Sequence, residues 1–218
     1  TKEGWLADWY RFWRDHEPPA ALGSVDGFAF FPANFNRESG LLSAQPRPPA
    51  EPTTDAEGRP MFGGLGTGPG RFLSPVDVAR DASGNLYVVD RVRKTLAKFA
   101  PDGRFVAEVS VPQPGEDSEP WGVAVAPTGE VVVADTFGWK IRIFSPDLEP
   151  LRAFGEVPAH DPPGPFELYG PRDVAVAVDG RLWVTDTGHD RIVVFSLQGE
   201  HLLTIGGEGN ELGSFDEP

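Results

Sequence analysis

The chain has no cysteine among its 218 residues, a single methionine and only four histidines. Disulfides, thiolate nucleophiles and Cys-based zinc sites are therefore excluded, while the compartment stays open, since both oxidising and reducing locations hold Cys-free proteins. Positive charge is scarce as well: 19 Lys and Arg stand against 33 Asp and Glu, a net charge of -14. Phosphate backbones are held by basic clusters that displace counterions, so a surface of this sign excludes nucleic acid as the expected partner. No stretch approaches the roughly 18 to 20 consecutive apolar residues that span a membrane. The histidines, His16, His160, His189 and His201, lack ligand spacing such as HxxxH, and no Ser-His-Asp set, phosphate loop or acid pair is legible. What the chain does have is Gly 26 times and Pro 23 times at 39% hydrophobic content, the composition of an ordered, turn-rich, all-β protein.

Three segments align without a gap: Pro75 to Phe99, Pro120 to Phe144 and Pro171 to Phe195. In each, a Gly follows the Pro at the same distance (Gly84, Gly129, Gly180), an Asp follows the Gly (Asp90, Asp135, Asp186), and the Phe closes the unit. A repeat of roughly 45 to 50 residues marks a propeller or solenoid array. Within the units, VDVAR, WGVAV and RDVAV follow the Pro, LYVVD, VVVAD and LWVTD follow the Gly, and LAKF, IRIF and IVVF end at the Phe. A fourth run appears in RFVAEV, PLRAFG and HLLTIG. Val, Ile, Phe and Trp at this density between turn residues predict four antiparallel strands per unit, which is a propeller blade. The Pro suits the first residue of the innermost strand, and the Gly supplies positive φ in the first hairpin.

The pattern Pro-x-Asp/Gly-Val-Ala, Gly-x-Leu-x-Val-x-Asp and Arg-Ile-x-Val-Phe resembles the NHL repeat of six-bladed β-propellers. The glycine-rich stretches Gly63 to Phe72 and Gly206 to Phe215 resemble the joints between NHL blades. This resemblance covers about residues 61 to 218 and implies blades near 72–110, 118–156 and 168–206. It also implies binding of proteins, RNA, sugars or peptides more often than catalysis. The family's Arg is kept only as Arg191, replaced by Lys140 in the second unit and Thr95 in the first. Three blades cannot close a ring of the usual 4 to 8. The expectation is a piece of a longer chain, completed by further blades of the same parent or by a second copy.

The first sixty residues read differently. Trp5, Leu6, Trp9, Phe12 and Trp13 fall on one helical face, predicting a short amphipathic helix that packs on a core or touches a membrane interface. Gly23 to Phe31 reads as a strand, and Pro46, Pro48, Pro49, Pro52 and Pro60 punctuate an extended linker over 46–60. Residues 1–45 bear a fainter similarity to the extracytoplasmic tail of bacterial membrane glycosyltransferases of the dolichyl-phosphate mannosyltransferase type. That likeness implies an extracytoplasmic, membrane-associated parent.

In a four-stranded meander, the second hairpin and the joint between blades emerge at the same end. Length varies between blades only in that joint, and variable loops on a constant scaffold are where binding concentrates. This end gathers Arg91, Phe137, Trp139 and His189, with Trp121 and Arg172 just after the opening Pro. Two indoles and a guanidinium suit a sugar or a peptide, or else the indoles pack between blades. Asp90, Asp135 and Asp186 recur once per unit, which sets them apart around a ring and assigns them to turns instead of a metal. Asp77 and Asp173 could face a channel ion, but the second unit has Gly122 there. The expected function is a non-catalytic binding or scaffolding module for a protein, peptide or carbohydrate, with no cofactor and no catalytic or metal-ligating residue assigned. The alternative is a metal-dependent enzyme resembling propeller lactonases or amidating lyases, with its site at the channel mouth.

Overall fold

The computed structural model describes residues 35–36, 41–42, 53–54, 60–209 and 211–218. Two small antiparallel pairs come first. In the unit of residues 1–46, β1 (Phe35–Asn36) pairs with β2 (Leu41–Leu42). In the unit of residues 47–218, β3 (Thr53–Thr54) pairs with β4 (Pro60–Met61), so the Pro-rich stretch closes a two-residue ladder at its end. The amphipathic helix and the Gly23 to Phe31 strand lie outside the described residues.

From Pro75 onward the chain forms three four-stranded antiparallel sheets, each in sequential order. The first holds β5 (Pro75–Arg80), β6 (Leu86–Asp90), β7 (Thr95–Phe99) and β8 (Phe105–Ser110). The second holds β9 (Pro120–Val125), β10 (Val131–Asp135), β11 (Lys140–Phe144) and β12 (Pro150–Phe154). The third holds β13 (Pro171–Val176), β14 (Leu182–Asp186), β15 (Arg191–Phe195) and β16 (His201–Gly206). Among the described residues the one helical piece is a 3-10 turn at Thr187–His189.

Each opening Pro pairs with the Asp that ends the second strand, and an irregularity in the register falls beside that pair in every blade. Proline offers no N–H to the ladder, so the strand start is where such a bulge costs least. The three hairpin glycines all have positive φ: 88° at Gly84, 91° at Gly129 and 84° at Gly180. That conformation is open to Gly and costly to residues with a Cβ.

Side-chain alternation builds the core between blades. Val131 and Val133 of β10 face the first blade and pack with Tyr87, Val89 and Leu96, while Val132 and Ala134 face the third and pack with Val184, Val193 and Phe195. A period of two thus gives the middle blade two buried faces. The far face of the first blade is covered by Phe62, Phe72 and Phe105 around Phe99. Polar links reinforce these seams. The Pro146 carbonyl of the second blade accepts the Tyr87 hydroxyl at 3.1 Å and the Lys98 ammonium at 2.7 Å, both from the first. Burial, with Asp81 and Asp147 nearby, pushes the Tyr87 phenol up to about 12, so it stays a neutral donor.

The candidate ligand-binding face

Register places the second hairpin and the joints at one end. Pro75, Asp90, Thr95 and Ser110 stand side by side across the first sheet, as do Pro171, Asp186, Arg191 and Gly206 across the third. The chain reaches this end through three loops, and each is anchored to the blade it enters.

The anchor begins at the buried Asp. Asp90 accepts four backbone N–H groups: Leu73 and Ser74 from the incoming joint and Val92 and Arg93 from its own turn, at 2.6 to 3.0 Å. Asp135 accepts the Glu119 N–H at 2.9 Å and that of Gly138 at 3.2 Å, and its other oxygen takes Arg142 Nε at 2.7 Å. Asp186 accepts the Tyr169 N–H at 2.6 Å, His189 Nδ1 at 2.9 Å and Arg191 Nε at 2.8 Å. Each carboxylate therefore ties a hairpin to the preceding joint. Asp77 acts likewise between blades, accepting the Val123 N–H of the second inner strand at 2.8 Å. Among the described residues, no three His, Asp or Glu side chains are grouped so as to hold a metal.

A guanidinium completes each anchor from a different position. Arg93 forks onto Glu108 and donates to the carbonyls of Arg71 and Thr67 in the glycine-rich joint. Arg191 reaches the carbonyls of Pro163, Gly164 and Glu167, fixing the insertion that leads into the third blade. Within that insertion the His160 ring bonds Glu167 and holds its carboxyl below the usual range. In the second blade Lys140 occupies the position of Arg191, and the guanidinium comes from Arg142 instead. Two residues along a strand return to the same face, so Arg142 still reaches Asp135, and it pairs with Glu116 at 2.8 Å.

Lys140, bonded to the other Glu116 oxygen, with the Gln113 N–H and Arg142, holds the Glu116 carboxyl down at about 2 from an ordinary 4.5. A depressed folded-state value means that the clamp stabilises fully above about pH 4.5 and is lost as pH falls toward 2. The melting temperature of wild type should therefore drop more steeply across that window than that of Glu116→Gln. Parallel curves would reject the clamp.

On this frame, three of the sequence-predicted site residues come together. The Arg172 guanidinium lies 4.4 Å from the centroid of the half-buried Trp121 ring, and that of Arg91 lies 5.1 Å from it. Glu119, which sequence reading passed over, joins them: its Oε1 accepts Trp121 Nε1–H at 3.2 Å and Arg91 at 3.1 Å. Arg91 also donates to Ser74 Oγ. Gly122 makes the stack possible. A Cβ there would sit 2.7 Å from the Asp173 Cα, so only Gly lets the third inner strand draw close enough to lay Arg172 on Trp121.

The other predicted residues lie apart from the stack. Phe137 projects from the second hairpin at 54% exposure, as do Val92 from the first and Tyr169 from the third joint. Trp139 is half-buried at the last position of its turn with φ 51°, a conformation that Lys94 (57°) and Asp190 (52°) share in the other blades. Its backbone is therefore set by the turn and not by a ligand. No hydrogen bond or ring contact links it to Trp121. His189 turns inward onto Asp186 with its ring 5.6 Å from that of Tyr169, and its side chain is 14% exposed. The opposite end is not featureless. A recess of about 300 Å³ there is lined by Arg80, Val125, Pro127, Val176 and Val178.

Three sheets of four meandering strands, packed through alternating faces with their first strands adjacent, are blades of a partial β-propeller. The chain carries NHL repeats: the model of that repeat matches residues 118–138 and 168–195. The chain is 33% identical over 75 residues to the E3 ubiquitin-protein ligase TRIM32 of Homo sapiens and to that of Mus musculus. That stretch is 34% of this chain and 11% of those proteins. Among solved structures, virginiamycin B lyase from Staphylococcus aureus, in its inactive H270A form with quinupristin, matches with a TM-score of 0.53 at 18% identity. The match covers 70% of this chain and 47% of the lyase, and a streptogramin B lyase matches with the same score at 17% identity. These likenesses are of fold. The chain spans under half the length of those lyases. These matches do not show the similarity of residues 1–45 to a glycosyltransferase tail, and that segment lies largely outside the described residues.

Proposed function

We propose that this chain is a non-catalytic binding module whose joint-end face takes a protein or peptide ligand. The observation that carries the reading is the exposure, at the joint end, of Val92 and Phe137 on the β6–β7 and β10–β11 turns and of Tyr169 on the joint into the third blade, each at 54%. Large apolar groups held out to water by rigidly anchored loops are what a protein interface uses. Likeness over 75 residues to TRIM32, a protein ligase by name, agrees with a protein ligand. A metal-dependent enzyme, the competing reading, has in its favour only the propeller fold held in common with the lyases.

The test is an array of random hexapeptides probed with the labelled full chain. Phe137→Asp should abolish most of the binding, because an aromatic anchor at an interface carries about 2 kcal/mol or more. Val178→Asp, at the other end of the blade, should leave it intact. Equal loss from both variants, or from neither, would place the ligand elsewhere.

A further inference from the structure

We propose that Arg172, mounted on Trp121, anchors a carboxylate of that peptide ligand. The inference rests on the joint-end reading above and adds the chemistry of what is recognised there. The two guanidiniums on Trp121 differ in what they have left to give. Arg91 is committed to Glu119 and Ser74. Arg172 is exposed, and among the described residues it has neither a hydrogen bond nor an ion pair, only the indole beneath it. Stacking uses the face of a guanidinium and leaves its in-plane N–H groups pointing outward, the fork that a carboxylate fills with two parallel bonds. The indole restrains the side chain before the ligand arrives, which reduces the entropy that binding must offset.

The position is built to present this fork among apolar groups. Thr136 Oγ1 donates to the Pro171 carbonyl at 2.8 Å, which sets the residues that follow, Phe137 and Arg172, on either side of one hydrogen bond. The Tyr169 carbonyl accepts the Gly188 N–H at 2.7 Å, which fixes the exposed Tyr169 at the third-blade turn of the same end. Phe137 and Arg172 each stand one residue from that bond, so a peptide that covers Phe137 is placed to reach Arg172.

Charge restricts the anion. Asp173, the next residue, is exposed and uses one carboxylate oxygen for its own strand, at Val174 N–H. That neighbour and the net charge of -14 repel a dianion or a string of phosphates more strongly than a single negative charge. The matching group is one carboxylate, either an Asp or Glu side chain or a peptide C-terminus.

The hexapeptide array decides, with every sequence spotted in free-acid and C-terminally amidated forms and a subset carrying phosphoserine. Enrichment of Asp or Glu in both forms identifies an acidic side chain, and loss on amidation identifies the C-terminus. Either result supports the anchor if Arg172→Gln weakens the best binder by about tenfold in fluorescence anisotropy while its melting curve matches wild type. Arg172→Lys, which keeps the charge without the fork, should fall between. Binders with no acidic or C-terminal preference, acidic binders indifferent to Arg172→Gln, or a preference for phosphoserine would each overturn the anchor. In those cases binding that still depends on Phe137 leaves the joint-end reading standing. An array with no binders overturns both.

Discussion

Asp135→Ala should lower the stability of the chain by about 3 kcal/mol, because the buried Arg142 cation loses the more buried of its two carboxylate partners and keeps only Glu116. Asp135 is fully buried and Arg142 is 4% exposed, so water cannot replace the lost partner without opening the seam between blades. The backbone N–H groups of Glu119 and Gly138 lose their acceptor in the same step. For a chain of this size the loss corresponds to a fall in melting temperature of roughly 10 °C. Asp90→Ala, whose carboxylate serves four N–H groups and no cation, should cost less, about 1 to 3 kcal/mol. Denaturant unfolding of the two variants gives the order. The reverse order would mean that the ion pair contributes little. Calcium or zinc that raised the melting temperature of wild type but not of Asp135→Ala would replace the turn role with a metal.

Arg191→Met should show a comparable loss, about 3 to 5 kcal/mol, together with a local effect that Asp135→Ala lacks. Arg191 holds Asp186 with one edge and three carbonyls of the 163–167 loop with the others. Met fills much of the same volume but donates nothing, so those carbonyls must find water. The loop should become the first site of cleavage in limited proteolysis, at protease levels that leave wild type whole. Because Tyr169 leaves this loop to meet the third blade, its exposed ring should lose its fixed place, and ligand affinity should fall with it. Cleavage rates equal to wild type would show that the 163–167 loop is held by contacts other than Arg191.

Much of the blade architecture was legible because the markers are local. An opening Pro, a turn Gly and a closing Asp act within one hairpin, and their spacing survives whatever packs against them. The glycine-rich joints were legible for the same reason: Gly63 and Gly206 take φ of 88° and 87°, each against the Phe that ends its own joint, Phe72 or Phe215. The site was less legible because its determinants cross blades. Nothing beside Arg142 in the sequence shows that it stands in for the Arg missing at Lys140. Only the strand's two-residue repeat, applied after the register is known, reveals it. Glu119 carries no local signal in the sequence, because what marks it is the Oε1 that Trp121 and Arg91 share. His189 offered a titratable group to a ligand in sequence, but the same turn that exposes Phe137 in the second blade rotates His189 onto Asp186 in the third.

The alternating faces of β10 have a consequence for cooperativity. Each blade exchanges its buried surface with its immediate neighbours, and the hydroxyls of Thr136 and Thr187 each latch the next Pro carbonyl, at 2.8 Å to Pro171 and Pro218. Stability in such an array is a sum of blade terms and nearest-neighbour terms, as in a one-dimensional lattice. A lesion in the middle blade therefore removes its couplings to the first and third blades at once, whereas one in the third blade leaves the seam between the first two closed.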